Sequence, residues 1–325
     1  MRGWAVVALC ALALLVAMAF GVAYGSGTAG LADLLSPGTR AGQIVIGYRL
    51  PRVLLGAVAG AGLAAVGAAL QGVLRNPLAD PYILGVSGGA ALGATIAIVA
   101  GAGGAFAAAS VPVASFVGGF GATTLVWTLG RAGRSGGASM LLAGVVINSI
   151  AYACILFVEA FAEPGRLQSL VWWLMGYLEA PSWSQLGFVT LYALAGVAVL
   201  VADAARINVL SLGDEPAASL GIEVRALERR ALFACAAVVG AVVSVTGPVG
   251  FIGLVVPQAM RRLIGPDLRV LLPACIFAGA ATLVVCDLAV RVLAPVVHTE
   301  VPVGAVTALL GGPMFLVLLV RTKAR

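Results

Sequence analysis

The chain is built almost entirely of apolar runs close to 20 residues long, and that recurrence restricts its fold more than any other feature. An α-helix needs about 20 consecutive apolar residues to cross the hydrocarbon core of a bilayer. Strands of a membrane barrel would alternate with a period of two, and these runs do not. About ten spans are predicted, near Trp4–Tyr24, Val53–Leu74, Ile83–Ala100, Val111–Leu129, Met140–Phe161, Leu186–Val201, Ala231–Val245, Phe251–Leu263, Val270–Leu293 and Val303–Val320. The eighth is short, lies between Gly250 and Gly265, and carries Pro257. It reads as a half-span buried among other helices, where protein rather than lipid satisfies irregular backbone. With 62% hydrophobic and 10% charged residues, and a mean hydropathy of +1.10, the chain is excluded from the soluble domains, in which roughly 25% of residues are charged. The expected fold is all-α, a polytopic membrane protein forming a single domain over residues 1–325.

Basic residues orient the spans. If the N-terminus is cytoplasmic, then Arg2, Arg75, Arg131, Arg134, Arg206, Arg225, Arg229, Arg230, Arg261, Arg262, Arg269, Arg321, Lys323 and Arg325 fall inside. Only Arg40, Arg49, Arg52, Arg166 and Arg291 fall outside. This is the positive-inside bias expected of a membrane protein. It accounts for the net charge of +6 without nucleic-acid binding, and it places both termini in the cytoplasm. Met1-Arg2 before an apolar run resembles a signal peptide, but the run is long and nine further spans follow.

One long stretch breaks the apolar pattern. Between Asp203 and Arg230 stand Asp203, Arg206, Asp214, Glu215, Glu223, Arg225, Glu228, Arg229 and Arg230. Within it, Asp214 and Glu215 offer an N-cap and favourable charge at a helix start. Pro216 suits the first turn, Ala217 and Ala218 favour helix, and Gly221 is a natural stop. A helix of about two turns is expected, too short to stand without packing. Such an element at the end of a bundle offers a surface to something outside the bilayer.

No catalytic constellation is visible. His298 has no histidine or cysteine companion, and Cys10, Cys154, Cys235, Cys275 and Cys286 sit in apolar spans without a C-x-x-C pair. The cysteines read as small buried hydrophobes, so no metal or other cofactor is expected. No G-x-x-x-x-G-K-[ST] sequence is present, so any ATP that drives the protein is hydrolysed by another subunit. Gly56/Gly60 and Gly89/Gly93 have the small-xxx-small spacing that lets helices approach closely, more simply within one bundle than at a dimer contact.

The loops carry a resemblance. Arg49-Leu50-Pro51-Arg52, then Gln71, then the run Asn76-Pro77-Leu78-Ala79-Asp80-Pro81 continuing through Gly85-Val86-Ser87-Gly88-Gly89-Ala90 closely resemble the FecCD-type permeases of ABC importers for iron chelates, haem and vitamin B12. The likeness continues through Leu142-Ala143-Gly144-Val145, Trp173-Leu174-Met175-Gly176, Gly247 to Pro257, and Val301 to Pro313, in the family's order. It implies a type II ABC importer permease fold, in the bacterial inner membrane, paired with a second copy around a central path. Two cytoplasmic ATPases would bind below, and a periplasmic or lipid-anchored substrate-binding protein would dock above.

The same resemblance assigns roles. Leu212 to Ile222 is similar to the family's coupling helix, which would make Leu212, Asp214, Glu215, Ala217, Ala218 and Gly221 the ATPase contact within a coupling segment at residues 204–230. Arg49, Arg52 and Arg291 stand where basic residues of such permeases meet acids of the binding protein, and exposed cations would steer that docking. For Arg291 a second reading stays open, because Asp287 lies four residues earlier, the favourable order for an intrahelical ion pair. Asn76 and Leu78 match one cytoplasmic gate loop. Ser135 to Ser139, with Gly137 and Ala138, matches a second that is smaller and more glycine-rich than in some relatives. Asn148 and Ser149 would face the path or else bond within the bundle.

Two other classes compete. An ion-coupled secondary transporter would place ionisable residues in mid-membrane, whereas Glu159, Asp203, Asp287 and Arg291 are expected near span ends. A membrane-embedded enzyme would need a nucleophile, base or metal-ligand cluster. The function expected is that of an importer permease moving a metal chelate (iron-siderophore, haem or cobalamin) by alternating access.

Overall fold

The computed structural model describes residues 2–25, 30–36, 38–101, 107–132, 136–297, 299 and 301–323. Among them every regular element is helical. Arg134, Ser135, His298 and Arg325 lie outside the described residues. The order is α1 (Arg2–Ala23), α2 (Arg40–Ile44), α3 (Leu50–Val73), α4 (Val86–Val99), α5 (Ala107–Ala132), α6 (Gly136–Glu159), α7 (Pro164–Leu174) and α8 (Trp183–Ala202). Then follow α9 (Ala204–Leu210), α10 (Asp214–Ser219), α11 (Val224–Thr246), α12 (Ile252–Ile264), α13 (Leu268–Val297) and α14 (Val303–Lys323).

Each of the ten predicted spans has its helix. Among the described residues, seven stretches are long and apolar enough to cross a membrane, one of them continuous from Arg40 to Val73, in which a π turn at Val45–Arg49 joins α2 to α3. Val86–Val99 of α4 and Val303–Phe315 of α14 are shorter apolar stretches. The eighth span is α12, only 13 residues long with Pro257 inside it, and it starts from Phe251 at φ 69°. At 1.5 Å per residue it rises about 20 Å, two thirds of a bilayer core. It is the half-span that the sequence predicts.

The core is α3. In its membrane window 83% of residues are buried, against 22% for α1 and α6, because α13, α8, α11 and α12 all pack around it. Glycine sets those distances. A Cβ added at Gly60 would stand 2.3 Å from the Gly279 carbonyl oxygen of α13, and one at Gly67 would stand 1.7 Å from that of Gly253 in α12. Likewise Gly89 and Gly93 of α4 lie against Gly118 and Ala114 of α5. The small-xxx-small spacing therefore serves contacts inside the chain, most loosely at Gly56, where a Cβ would meet Leu178 Cδ1 at 3.6 Å and Val284 Cγ2 at 3.7 Å.

Three details differ from expectation. The amphipathic helix α7 between the fifth and sixth spans went unpredicted, since its Arg166, Gln168 and Ser169 interrupt the apolar run. Helix α13 continues to Val297, past the predicted end of its span at Leu293, so Asp287 lies ten residues before the helix end. Cys154 is exposed rather than buried, while Cys235, Cys275 and Cys286 are buried; all five thiols are free.

Candidate functional site

The polar segment folds as two short helices anchored at Asp203. That carboxylate is buried, and its Oδ1 accepts from Arg206 of α9 and Arg230 of α11, each at 2.9 Å. Both ends of the segment are thereby fastened to one residue. Asn208 of α9 donates to Asp267 at 2.6 Å and accepts from the Leu268 amide at 2.9 Å, tying the segment to the start of α13. The Arg269 guanidinium, with lesser help from Asn208, holds the Asp267 carboxyl down at about 2.

Helix α10 is the expected short helix with one correction. Gly213, at φ 135°, occupies the N-cap position, and Asp214 and Glu215 fall in the first turn, where their charge suits the helix dipole. Its other end is a Schellman turn. Gly221 sits at φ 76°, its amide donates to Ala218 O at 2.9 Å, and the Ile222 amide donates to Ala217 O at 3.0 Å. Ala217, expected at the contact surface, is fully buried and seats the helix on the bundle. Glu215, Ala218 and Gly221 are exposed, and so are the large apolar side chains of Leu212 (74%) and Leu220 (69%). Leu220 escapes motif reading; an exposed leucine just after a capped helix is the signal that marks it.

Asp214 does not cap because it points elsewhere: its Oδ1 accepts from Arg75 at 2.7 Å. Arg75 opens the connection between α3 and α4, which holds the Asn76 and Leu78 gate candidates. Asn76 Oδ1 accepts from the Leu78 amide at 2.9 Å, and Leu78 is 43% exposed. Gln258 of α12 donates to Pro77 O at 2.6 Å, and the buried Gln71 accepts from Gln258 and from Arg261. Asp80 caps the 3-10 turn Pro81–Leu84 by accepting from the Tyr82 amide. Burial pushes its carboxyl up to about 6, although that same bond draws it down. Gly137 and Ala138, expected in a second gate loop, lie in the first turn of α6 instead.

A second cluster surrounds the start of α12. The Tyr82 hydroxyl donates to Val249 O at 2.9 Å and accepts from the Val249 amide at 2.8 Å. Gly176 and Gly247, at φ 72° and 63°, and Gly304 in the first turn of α14 let two non-helical segments and a helix start meet. Tyr177 N donates to Thr246 O at 2.8 Å, and Gly304 N donates to Gly176 O at 3.0 Å. Asn148 bonds within the bundle, donating to Tyr82 O at 2.8 Å and accepting from the Gly88 amide at 3.1 Å. It also borders a cavity of about 430 Å³ lined by Ser87, Tyr152, Glu159 and Pro248 among others. Ser149 is exposed on α6, its hydroxyl bonded back to Val145 O.

The three arginines gather at one end of α3 and α13. Asp287 lies between Arg52 (Nε to Oδ1, 2.9 Å) and Arg291 (Nε to Oδ2, 2.9 Å), and Arg52 also stands over the Tyr177 ring. The intrahelical pair offered as the second reading of Arg291 is thus formed. Arg291 donates to Gly21 O and Tyr24 O, and Arg49 to Val22 O and Ala23 O, so both staple the end of α1. Arg49 and Arg291 are 6% and 8% exposed, which is not the open cationic surface that sequence reasoning expected. They instead line a cavity of about 510 Å³ with Arg52, Tyr48, Tyr177 and Glu179.

A helical bundle with seven helices long and apolar enough to span a membrane among the described residues, shorter apolar helices between them and a capped helix seated on one end defines a polytopic membrane protein. Its residues 9–321 match the FecCD transport family, and the chain belongs to that family. It is 41% identical to the cobalamin import system permease protein BtuC of Halobacterium salinarum over 280 residues, 85% of this chain and 73% of that one. It is 39% identical to the hemin transport system permease protein HmuU of Yersinia pestis over 290 residues, 86% of this chain and 84% of that one. Among solved structures, a transporter assigned to the metal-chelate ABC type, in an inward-facing conformation, superposes with a TM-score of 0.86 at 30% identity. The match covers 98% of this chain and 99% of that one.

Proposed function

We propose that the chain imports a metal chelate, of the iron-siderophore, haem or cobalamin kind, as the membrane subunit of an ATP-driven importer that works by alternating access. Its relatives are named for cobalamin and hemin import, and no phosphate-binding loop is present in its own sequence, so separate ATPase subunits supply the drive. The observation that carries this reading is α10. It is a six-residue helix seated through Ala217 and capped at Gly221, and it presents Leu212, Glu215, Ala218 and Leu220 outward.

On this reading α10 is the coupling helix and its end of the bundle is cytoplasmic, an orientation supported by Arg75, Arg206, Arg230, Arg261 and Arg269 around it. Asn76 and Leu78 belong to the inner gate, with Gly137 and Ala138 contributing from a second copy as well as this one. Asn148 and Ser149 border the path. At the opposite end, the cavity holding Arg49, Arg52 and Arg291 receives acidic side chains of a substrate-binding protein. The assembly is two permease copies, two ATPases and one binding protein in the bacterial inner membrane.

The test is reconstitution in vesicles with and without candidate ATPase and substrate-binding partner subunits. Uptake of haemin or cobalamin should require ATP and both partners. Ala218→Arg should abolish ATPase binding. Gly221→Pro should uncouple hydrolysis from uptake, since proline's φ near −65° cannot occupy a position held at φ 76°. Uptake that follows an ion gradient without the ATPase would overturn the proposal.

A further inference from the structure

We infer that Arg75 is a positioning residue that transmits movement of α10 to the gate loop at residues 76–80. The inference deepens the proposed function and rests on its reading of α10 as the ATPase contact. Arg75 holds the left-handed position after the end of α3, at φ 51°. The turn itself is a Schellman closure, with the Arg75 amide donating to Gly72 O and the Asn76 amide to Gln71 O. Glycine would fill that position without steric cost, whereas the Cβ of an arginine is disfavoured there. The turn therefore gains nothing from an arginine. What the guanidinium adds is the 2.7 Å bond to Asp214, in the first turn of α10 and 139 residues along the chain.

The loop it enters has little slack. Pro77 O is held by Gln258, Asn76 folds back onto the Leu78 amide, and Asp80 caps the following turn. A displacement of α10 carried through Arg75 would thus move the loop as a unit rather than deform it. The ion pair is partly exposed, with side-chain accessibilities of 31% and 56%. Such pairs contribute little to stability, so this one can break and re-form in each cycle, and its loss can be separated from unfolding.

The experiment uses the full permease–ATPase complex in vesicles, with Leu78→Cys as reporter in a background lacking the native cysteines. The readout is the ratio of maleimide labelling rates with ATP plus vanadate and without nucleotide. The parent should show a ratio well away from one. Arg75→Gly should keep or raise the thermal midpoint yet shrink that ratio at least about fivefold. Arg75→Asp and Asp214→Arg should each do the same, and the double reversal should restore the ratio, as a direct pair requires. A purely structural role predicts a normal ratio in Arg75→Gly. That outcome, a parent ratio near one, or a double reversal no better than the single ones would overturn the inference. Ala218→Arg separates the two levels: if it leaves ATPase affinity intact, the reading of α10 fails. If it abolishes binding while Arg75→Gly keeps the parent ratio, only the Arg75 link fails.

Discussion

Tyr82 and Val249 satisfy each other twice, the tyrosine hydroxyl donating to the valine carbonyl and accepting from its amide, at 2.9 and 2.8 Å. Val249 is buried and belongs to the non-helical segment before α12, where its backbone has no helical partner. One side chain thus does for this segment what a helix turn does elsewhere, and it lets a half-helix begin inside a bundle.

Tyr82→Phe removes both bonds while keeping the ring. An unsatisfied buried backbone group costs about 1–3 kcal/mol, so the variant should lose roughly 2 kcal/mol or more. The thermal midpoint of the detergent-solubilised protein should fall clearly. A midpoint equal to the parent's would mean that the hydroxyl does not hold the segment before α12.

Asp287 offers a harsher case. It faces two guanidiniums, and all three groups are largely withdrawn from solvent. Asp287→Asn would remove the carboxylate that pairs with the buried Arg291 and with Arg52, and breaking a buried pair costs about 3–5 kcal/mol. Poor yield and a lowered midpoint are expected, with recovery in an Asp287→Asn/Arg291→Met double variant, which removes one stranded charge. If the single variant is as stable as the parent, the arginine cluster has no structural role.

These two sites show what could be read in the chain and what could not. The long spans were legible because a 20-residue apolar run has one solution in lipid, and α10 was legible from Pro216, Ala217, Ala218 and Gly221 alone. Asp287 and Arg291 were legible as a pair, being one helical turn apart. Arg52 reaching Asp287, 235 residues distant, was not, and so three arginines were read as exposed when two are buried. Asp214 was misread as a cap for the same reason: its partner, Arg75, comes from another part of the chain. Gly176, Gly247 and Gly304 were legible as parts of family motifs, but the contact among their backbones exists only after folding.

The glycines of α3 give a graded test of packing. A methyl at Gly67 would overlap the Gly253 carbonyl, which is backbone and cannot swing away, whereas one at Gly56 meets the end of Leu178 at ordinary contact distance. Gly67→Ala should prevent α12 from seating and sharply reduce monodisperse protein on size exclusion. Gly56→Ala should leave yield and elution unchanged. Equal behaviour of the two would contradict the close approach of α3 and α12.

Asp80 should leave a signature in the pH dependence of stability. Its carboxyl is pushed up to about 6 in the fold, against about 3.9 in an unfolded chain. Between those values the folded protein keeps a proton that the unfolded chain has released. The contribution of Asp80 to stability is therefore greatest below about pH 4, falls as pH rises toward 6, and is flat beyond. Asp80→Asn keeps an oxygen to accept from the Tyr82 amide but cannot ionise. Near pH 7.5 it should be more stable than the parent by about 1–2 kcal/mol, allowing for solvent relaxation around a half-buried group, and the advantage should vanish near pH 4. Thermal midpoints of both proteins measured from pH 4 to 7.5 decide the matter: parallel curves would show that Asp80 ionises in the fold as freely as it does in water.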